Sequence, residues 1–445
     1  MRRTARKSRG SLVLLAAAVV IAGGAALFYG DAKAPAASIE GAPLAQPAAP
    51  SQQTPEELAK LEAMGEAARL PEPGPQGAGN APATVSQPQP LLGTLIDLDH
   101  ITRDGDVYKA PLKDGRIATL TLDPELQELA ETLLDQARAP KAAIVVMAPD
   151  GRLLALAGRR TEDPKGGKEG TFDWRLATDT WAPAASVFKL VTASALVTSG
   201  VTADDKVCFH GGVRSVMDSN LVDSKLDSRC ESLAFGVAHS NNAILGKFAY
   251  QKLTPESLDA MTRTLGFVGA LPGNEVPGNA GTAEIPKQRD LDFAKTSAGF
   301  ENTQLSAAGG ALLAATFADG GEQPTPRLIA SIDGTPLPVP ALRRVLPASA
   351  AAQVARMMVG TCENGSAAKS FHKGTVKVAG KTGTLARSEP YYMEHSWFVG
   401  FAPADHPQVI VSVLLGNPES WHLRGHEAAK RLVDRALREG KRAKS

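Results

Sequence analysis

The sequence predicts an α+β fold: an antiparallel sheet flanked by helices, with a mainly helical subdomain, preceded by a single N-terminal transmembrane helix. Three observations predict it. Strand-like segments lie at 142–147 and 153–156, and again at 376–380, 396–401 and 408–415, with an amphipathic helix at 425–437. One sheet built from both ends of the domain accounts for that arrangement. The stretch between is Ala-rich and helical, and the first thirty residues join a basic cluster to an uncharged apolar run.

The N-terminus sets the compartment. Arg2, Arg3, Arg6, Lys7 and Arg9 lie in segment 1–10, read as cytoplasmic, ahead of the run SLVLLAAAVVIAGGAALFYG at 11–30. As a helix that run is about 30 Å long, enough to cross a bilayer core. The positive-inside tendency then exports everything after it. Residues 11–30 are therefore read as a retained signal anchor. A cleaved signal peptide is the alternative, with Ala32-Lys33-Ala34 as the cleavage site; both readings give export. The expected location is the inner (plasma) membrane, single-pass, with the catalytic domain periplasmic. Residues 31–90 are rich in Ala, Pro, Gln and Gly and read as a disordered linker with a short helix at 55–70. The folded domain occupies 91–445.

Within it, 118–122 has strand character, and Asp123-Pro124-Glu125 opens a helix with an N-cap, Pro at the first position and an acid in the first turn. The strands 142–147 and 153–156 are joined by a turn at Pro149-Asp150-Gly151. A helix is predicted from Pro183, and the last helix closes the chain. Of the 445 residues 43% are hydrophobic and 21% charged, ordinary for a domain with a sizeable core, and the net charge of +1 gives no reason to expect nucleic acid as partner. Cys208 and Cys230 flank a polar loop; a disulfide there adds about 3 kcal/mol and suits export, the alternative being two free thiols. Cys362 is left over.

Three short motifs carry chemistry. Ser186-Val187-Phe188-Lys189 puts a hydroxyl near a helix N-terminus and an amine three residues on, the same face about 5–6 Å away. A neutral lysine can activate that hydroxyl, provided burial and a second cation lower its pKa by roughly three units, a bias of about 4 kcal/mol. Ser240-Asn241-Asn242 supplies a hydroxyl to pass a proton and an amide to orient Lys189 and substrate. Lys381-Thr382-Gly383-Thr384, after the strand-like TVKVAG, supplies the second cation, a hydroxyl for a carboxylate and a Gly where the substrate backbone comes close. The N–H groups of Ser186 and Thr384 are candidates for an oxyanion hole. A second S-x-x-K, Ser366-Ala367-Ala368-Lys369, is read as a solvated loop. Residues 374–382 look like a phosphate loop, but five residues separate the glycines instead of four. His422 and His426 lack the partners of a zinc site, and His239 is left out of the mechanism.

In this order, S-x-x-K, S-x-N and K-T-G resemble the signature of the penicillin-binding proteins and their serine β-lactamase relatives. The resemblance runs over about 118–437: TLTLDPELQELAETLL is similar to the family's opening strand and helix, AAIVVMAPDGRLLALAG to the hairpin after it, TSAGFENTQLSAAGGALLAATFADGG to its Gly-rich segment, and HSWFVGFAPADHPQVIVSVLL to the strands after the K-T-G strand. It implies a β-lactamase/transpeptidase-like fold and a D,D-transpeptidase acting on D-alanyl-D-alanine stem peptides of peptidoglycan. It also implies covalent inhibition by β-lactams, with neither cofactor nor metal. Other cell-wall synthesis proteins are implied partners, beside the membrane. Catalysis falls to Ser186 as nucleophile, Lys189 as base, Ser240 as proton relay, Asn242 and Lys381; Thr382, Gly383 and Thr384 bind substrate. The family often has Pro-Gly-Ser where this chain has Ala184-Ala185-Ser186. The chain is expected to be a minimal, monofunctional member without a glycosyltransferase domain. Two alternatives stay open: a D,D-carboxypeptidase or β-lactamase, and an acylated sensor without turnover. The water-activating E-x-x-L-N of class A β-lactamases is not matched by Glu256-Ser257-Leu258-Asp259, read instead as a helix start.

Overall fold

The structure, a computed structural model, describes residues 92–161, 163–212 and 215–442. The anchor at 11–30, the linker at 31–90 and the short helix at 55–70 lie outside the described residues. Among the described residues no helix is long and apolar enough to cross a membrane.

In chain order the principal elements are α1 (Pro124–Ala137), β1 (Lys141–Met147), β2 (Leu153–Arg160), β3 (Thr171–Phe172), α2 (Lys189–Thr198), α3 (Leu233–Ala238), α4 (Asn242–Lys252), α5 (Pro255–Thr264), α6 (Leu291–Ser297), α7 (Ala307–Ala318), α8 (Ala348–Glu363), β4 (Ala379–Arg387), β5 (Met393–Ala402), β6 (Val409–Asn417) and α9 (Gly425–Arg442). The six strands form one antiparallel sheet in the order β4-β5-β6-β1-β2-β3. Its first half comes from the end of the domain and its second half from the beginning, as expected.

Both faces are buried, and the strand period of two divides their residues. Trp397, Val399 and Phe401 of β5 join the core that α7 closes, while Phe398 and Ala402 join the core of α1 and α9. This explains why β5 and β6 read as continuous apolar runs instead of alternating ones. Helix α1 starts where the Asp123 carboxylate accepts from the N–H groups of Glu125 and Leu126, with Pro124 at the first position. Helix α5 likewise opens on a capping box at Thr254, so Glu256 sits in an exposed first turn.

Helix α8 packs on β4 and carries α2 and α3, and α4 and α5 pack against these in turn. Two smaller sheets were not foreseen. One runs through Val107–Pro111, Ile117–Leu120 and Ile329–Ile332; the other joins Asn279–Ala283, Thr303–Leu305 and Ala182–Pro183. Cys208 and Cys230 face each other across the hairpin Lys206–Phe209/Arg229–Ser232 and form a disulfide.

Two boundaries need correction. Pro183 is not in the first turn of a helix: it ends a short strand, and a 3₁₀ turn over Ala185–Phe188 leads into α2. The Trp397 indole N–H donates to the Pro183 carbonyl at 2.9 Å, which holds that strand against β5. Nor does the strand before the third motif stop at Gly380. It begins at Ala379 and carries Lys381-Thr382-Gly383-Thr384 in its middle.

Candidate active site

Where α2 meets the sheet edge, Ser186 sits in the 3₁₀ turn and Lys189 opens α2 one turn later. Lys189 is fully buried, and its Nζ lies 2.7 Å from Ser186 Oγ, 2.7 Å from Asn242 Oδ1 and 2.6 Å from the Ala298 carbonyl. The last two partners can only accept. A neutral amine has two hydrogens and one lone pair, so the two carbonyl oxygens take both hydrogens and turn the lone pair to the Ser186 hydroxyl.

Electrostatics favour that neutral form. Burial pushes the Lys189 ammonium well below its ordinary range, and the charge of Lys381 adds to the shift. Burial also lowers Lys381, to about 7; at about 1.4 kcal/mol per unit that disfavours its charged form by about 5 kcal/mol. Its Nζ donates to Ser240 Oγ at 2.9 Å and to the Thr382 carbonyl at 2.8 Å. The five residues expected to act on the reacting atoms thus form two adjoining groups, Ser186–Lys189–Asn242 and Lys381–Ser240.

Local backbone conformation holds them there. Ser240 stands between α3 and α4 at φ +56°, and Asn241 caps α4 by accepting from the Ile244 N–H. Ala185 has φ +50°, in the left-handed region where a residue with a Cβ costs roughly 1–3 kcal/mol. This is the position where the family pattern places Gly, the residue that adopts such a φ without a steric cost. Gly383 faces the turn closely: a Cβ there would lie 3.3 Å from the Ala185 Cβ.

An open cleft of about 670 Å³ collects the motif residues Ser186, Ser240, Asn242, Thr382 and Thr384. Thr382 and Thr384, two apart on β4, project from the same side of the strand. Lys189 and Lys381 lie buried beneath, and Gly383 packs on the turn.

Sequence reasoning missed part of the wall. Ala298, Gly299 and Phe300 follow α6 and line the cleft, where Ala298 holds Lys189. His239 lines it too, its ring 4.1 Å from that of Phe235. Glu394 lies at the far end, opposite Ala386 in the β4–β5 register, with its carboxyl raised by burial. Ser366 is the clearest correction. The loop that carries it is not a solvated bystander: its Oγ lies 2.5 Å from Thr382 Oγ1, inside the cleft. Its would-be partner Lys369 is exposed on a separate helical turn, so the second S-x-x-K does not assemble. Cys362 is buried in the core on α8, where burial pushes its thiol up, and this makes it unreactive. His426, one of the two histidines weighed for zinc, has its Nδ1 2.8 Å from Ser370 Oγ.

Comparison with known proteins places this arrangement. Residues 142–438 match the family model of the penicillin binding protein transpeptidase domain. Penicillin-binding protein PbpB of Mycobacterium tuberculosis is 27% identical over 350 residues, covering 71% of this chain and 50% of that protein. Peptidoglycan D,D-transpeptidase PbpA of the same organism is 25% identical over 340 residues, 68% of each. The chain thus spans half the length of the first relative and about two thirds of the second. Among solved structures, penicillin-binding protein 3 of M. tuberculosis in complex with aztreonam superposes with a TM-score of 0.61 at 22% identity, covering 75% of this chain and 80% of that one. From the family match, with three motifs brought to one cleft, the chain belongs to the penicillin-binding protein transpeptidase family.

Proposed function

We propose that the chain is a peptidoglycan D,D-transpeptidase that works through a Ser186 acyl-enzyme on D-alanyl-D-alanine stem peptides and is blocked covalently by β-lactams. The observation that carries the reading is the Lys189 amine, fully buried and 2.7 Å from Ser186 Oγ, with both its hydrogens taken by carbonyl oxygens. The family match and the names of the relatives support it. Penicillin-binding protein A of M. tuberculosis, of similar fold, is known as a penicillin G acyl-enzyme complex.

In this reading each step falls to a residue that the site brings together. Lys189 takes the Ser186 proton as Oγ attacks the carbonyl of the penultimate D-alanine. To the developing oxyanion we assign the N–H groups of Ser186 and Thr384, donors of a kind worth roughly 10²–10³ in rate. The C–N bond breaks, and terminal D-alanine leaves with a proton delivered through Ser240, whose hydroxyl Lys381 holds. Thr382 and Thr384 bind the donor's carboxylate beside the Lys381 charge. An acceptor amine then enters, gives up a proton along the same path in reverse, and takes the acyl group from Ser186.

The hydrolytic alternative has one observation in its favour, the Glu394 carboxyl in the cleft. Turnover decides. With a D-alanyl-D-alanine stem peptide and an added amine, a cross-linked product should form as D-alanine is released. Hydrolysis alone would make the chain a carboxypeptidase, and acylation without release a sensor.

Around this domain we propose segment 1–10 as cytoplasmic, 11–30 as a signal anchor in the inner membrane and 31–90 as a linker, with 91–445 periplasmic. The basic and apolar N-terminal pattern supports this, as does the Cys208–Cys230 disulfide, a bond suited to an oxidising compartment. Limited proteolysis of the full chain in detergent should cut first between residues 34 and 89. Early cleavage inside 120–156 would contradict the boundary.

A further inference from the structure

Ser366 has no place in the three motifs, yet it stands beside the third. The loop after α8 is pinned from behind: the Ser366 N–H donates to the Ala238 carbonyl at 3.0 Å and the Ala367 N–H to the Thr361 carbonyl at 3.0 Å. Gly365 permits that approach, since a Cβ there would lie 2.1 Å from the Ala238 oxygen. The same loop therefore touches the end of α3, two residues before Ser240, and Thr382 on β4.

The Ser366 and Thr382 hydroxyls are 2.5 Å apart, close enough that one donates to the other. Whichever donates, the accepting hydroxyl keeps its own hydrogen for a third partner, and hydrogen bonding in series polarises that hydrogen. Thr384 adds a further hydroxyl on the same side of the strand, and the Lys381 cation lies beneath. Both Ser366 and Thr384 are exposed to the cleft. A cluster of hydroxyl donors around a cation fits an acceptor-only anion the size of a carboxylate.

We propose that Ser366 is a substrate-binding residue that, together with Thr382 and Thr384, holds the terminal carboxylate of the acyl donor. The proposal rests on the acyl-transfer reading above and extends it to a residue outside the motifs. A hydrogen bond to a charged group is worth enough for roughly a tenfold effect on affinity or more.

The test compares two donors, a D-alanyl-D-alanine peptide and its C-terminal carboxamide, by kcat/KM for release of D-alanine or D-alaninamide. Their ratio is taken within one enzyme preparation, so the folded fraction cancels. Ser366→Ala should lower the acid-over-amide preference about tenfold, chiefly through KM, and Ser366→Thr should return it to within about threefold of wild type. A preference unmoved by Ser366→Ala overturns the proposal, as does one lowered equally by Ser366→Thr. If the wild-type protein releases product from neither donor, the acyl-transfer reading fails and this proposal with it. A wild type active on both, with a preference indifferent to Ser366, overturns the proposal alone.

Discussion

Lys189→Ala is expected to slow acylation of Ser186 by at least 10²-fold, the loss typical of a positioned general base. The nearest other cation, Lys381, points its Nζ at Ser240 and the Thr382 carbonyl, so it is not placed to substitute. The fold should survive, because losing the buried amine's desolvation cost offsets the hydrogen bonds that Lys189 made to Asn242 Oδ1 and the Ala298 carbonyl, each worth roughly 1–3 kcal/mol. The pH profile sharpens the test. In the wild type, kcat/KM rises with pH as Lys189 loses its proton, and falls as Lys381, at about 7, loses the charge that binds carboxylate. Lys189→Ala should erase the rising limb and keep the falling one. An unchanged acylation rate would remove Lys189 from the mechanism.

Gly299→Ala should be nearly as damaging, without touching a reacting group. Gly299 has φ +85°, and a Cβ there would lie 2.0 Å from the Ala185 carbonyl oxygen and 3.2 Å from the Ser186 nitrogen. Both neighbours are backbone and cannot rotate aside. Either the segment after α6 moves, taking Ala298 off Lys189, or the nucleophile's turn moves. A displacement of about 1 Å at such a site can cost roughly 10²-fold in rate, and we expect that loss together with about 2–4 kcal/mol of stability. Gly320→Ala is the control: its φ is +60° and nothing lies within 4 Å of its Cβ position, so it meets the strained backbone without the clash. Wild-type acylation in Gly299→Ala would contradict the claim that the close approach of Gly299 to Ala185 fixes the placement of Ser186 and Lys189.

The sheet and its topology were legible because β1, β2, β5 and β6 are apolar runs bounded by turns, and α1 because Asp123-Pro124 announces a helix start. The motif side chains were legible because their chemistry requires fixed residue types at fixed spacing. What escaped depends on contacts between distant segments. Nothing local to Pro183 tells that it pairs with Gln304 and receives the Trp397 N–H, so its helix-start character misled. Lys381 and Gly383 are residue types depleted in strands, and they interrupted the strand pattern in the middle of β4. Ser366 looked solvated because Glu363-Asn364-Gly365 is polar, although that Gly is what seats the loop on Ala238. A left-handed φ at Ala185 has no sequence signal at all, since the usual indicator is Gly.

The central claim is that Ser186, and no other hydroxyl, forms a lasting ester in this cleft. Intact-mass measurement after exposure to a labelled penicillin, followed by peptide mapping, tests it most directly. One adduct per chain should appear on the peptide containing Ser186, persist for minutes to hours, and vanish in Ser186→Ala. An adduct on Ser366, or rapid turnover of the antibiotic with no adduct accumulating, would contradict the account.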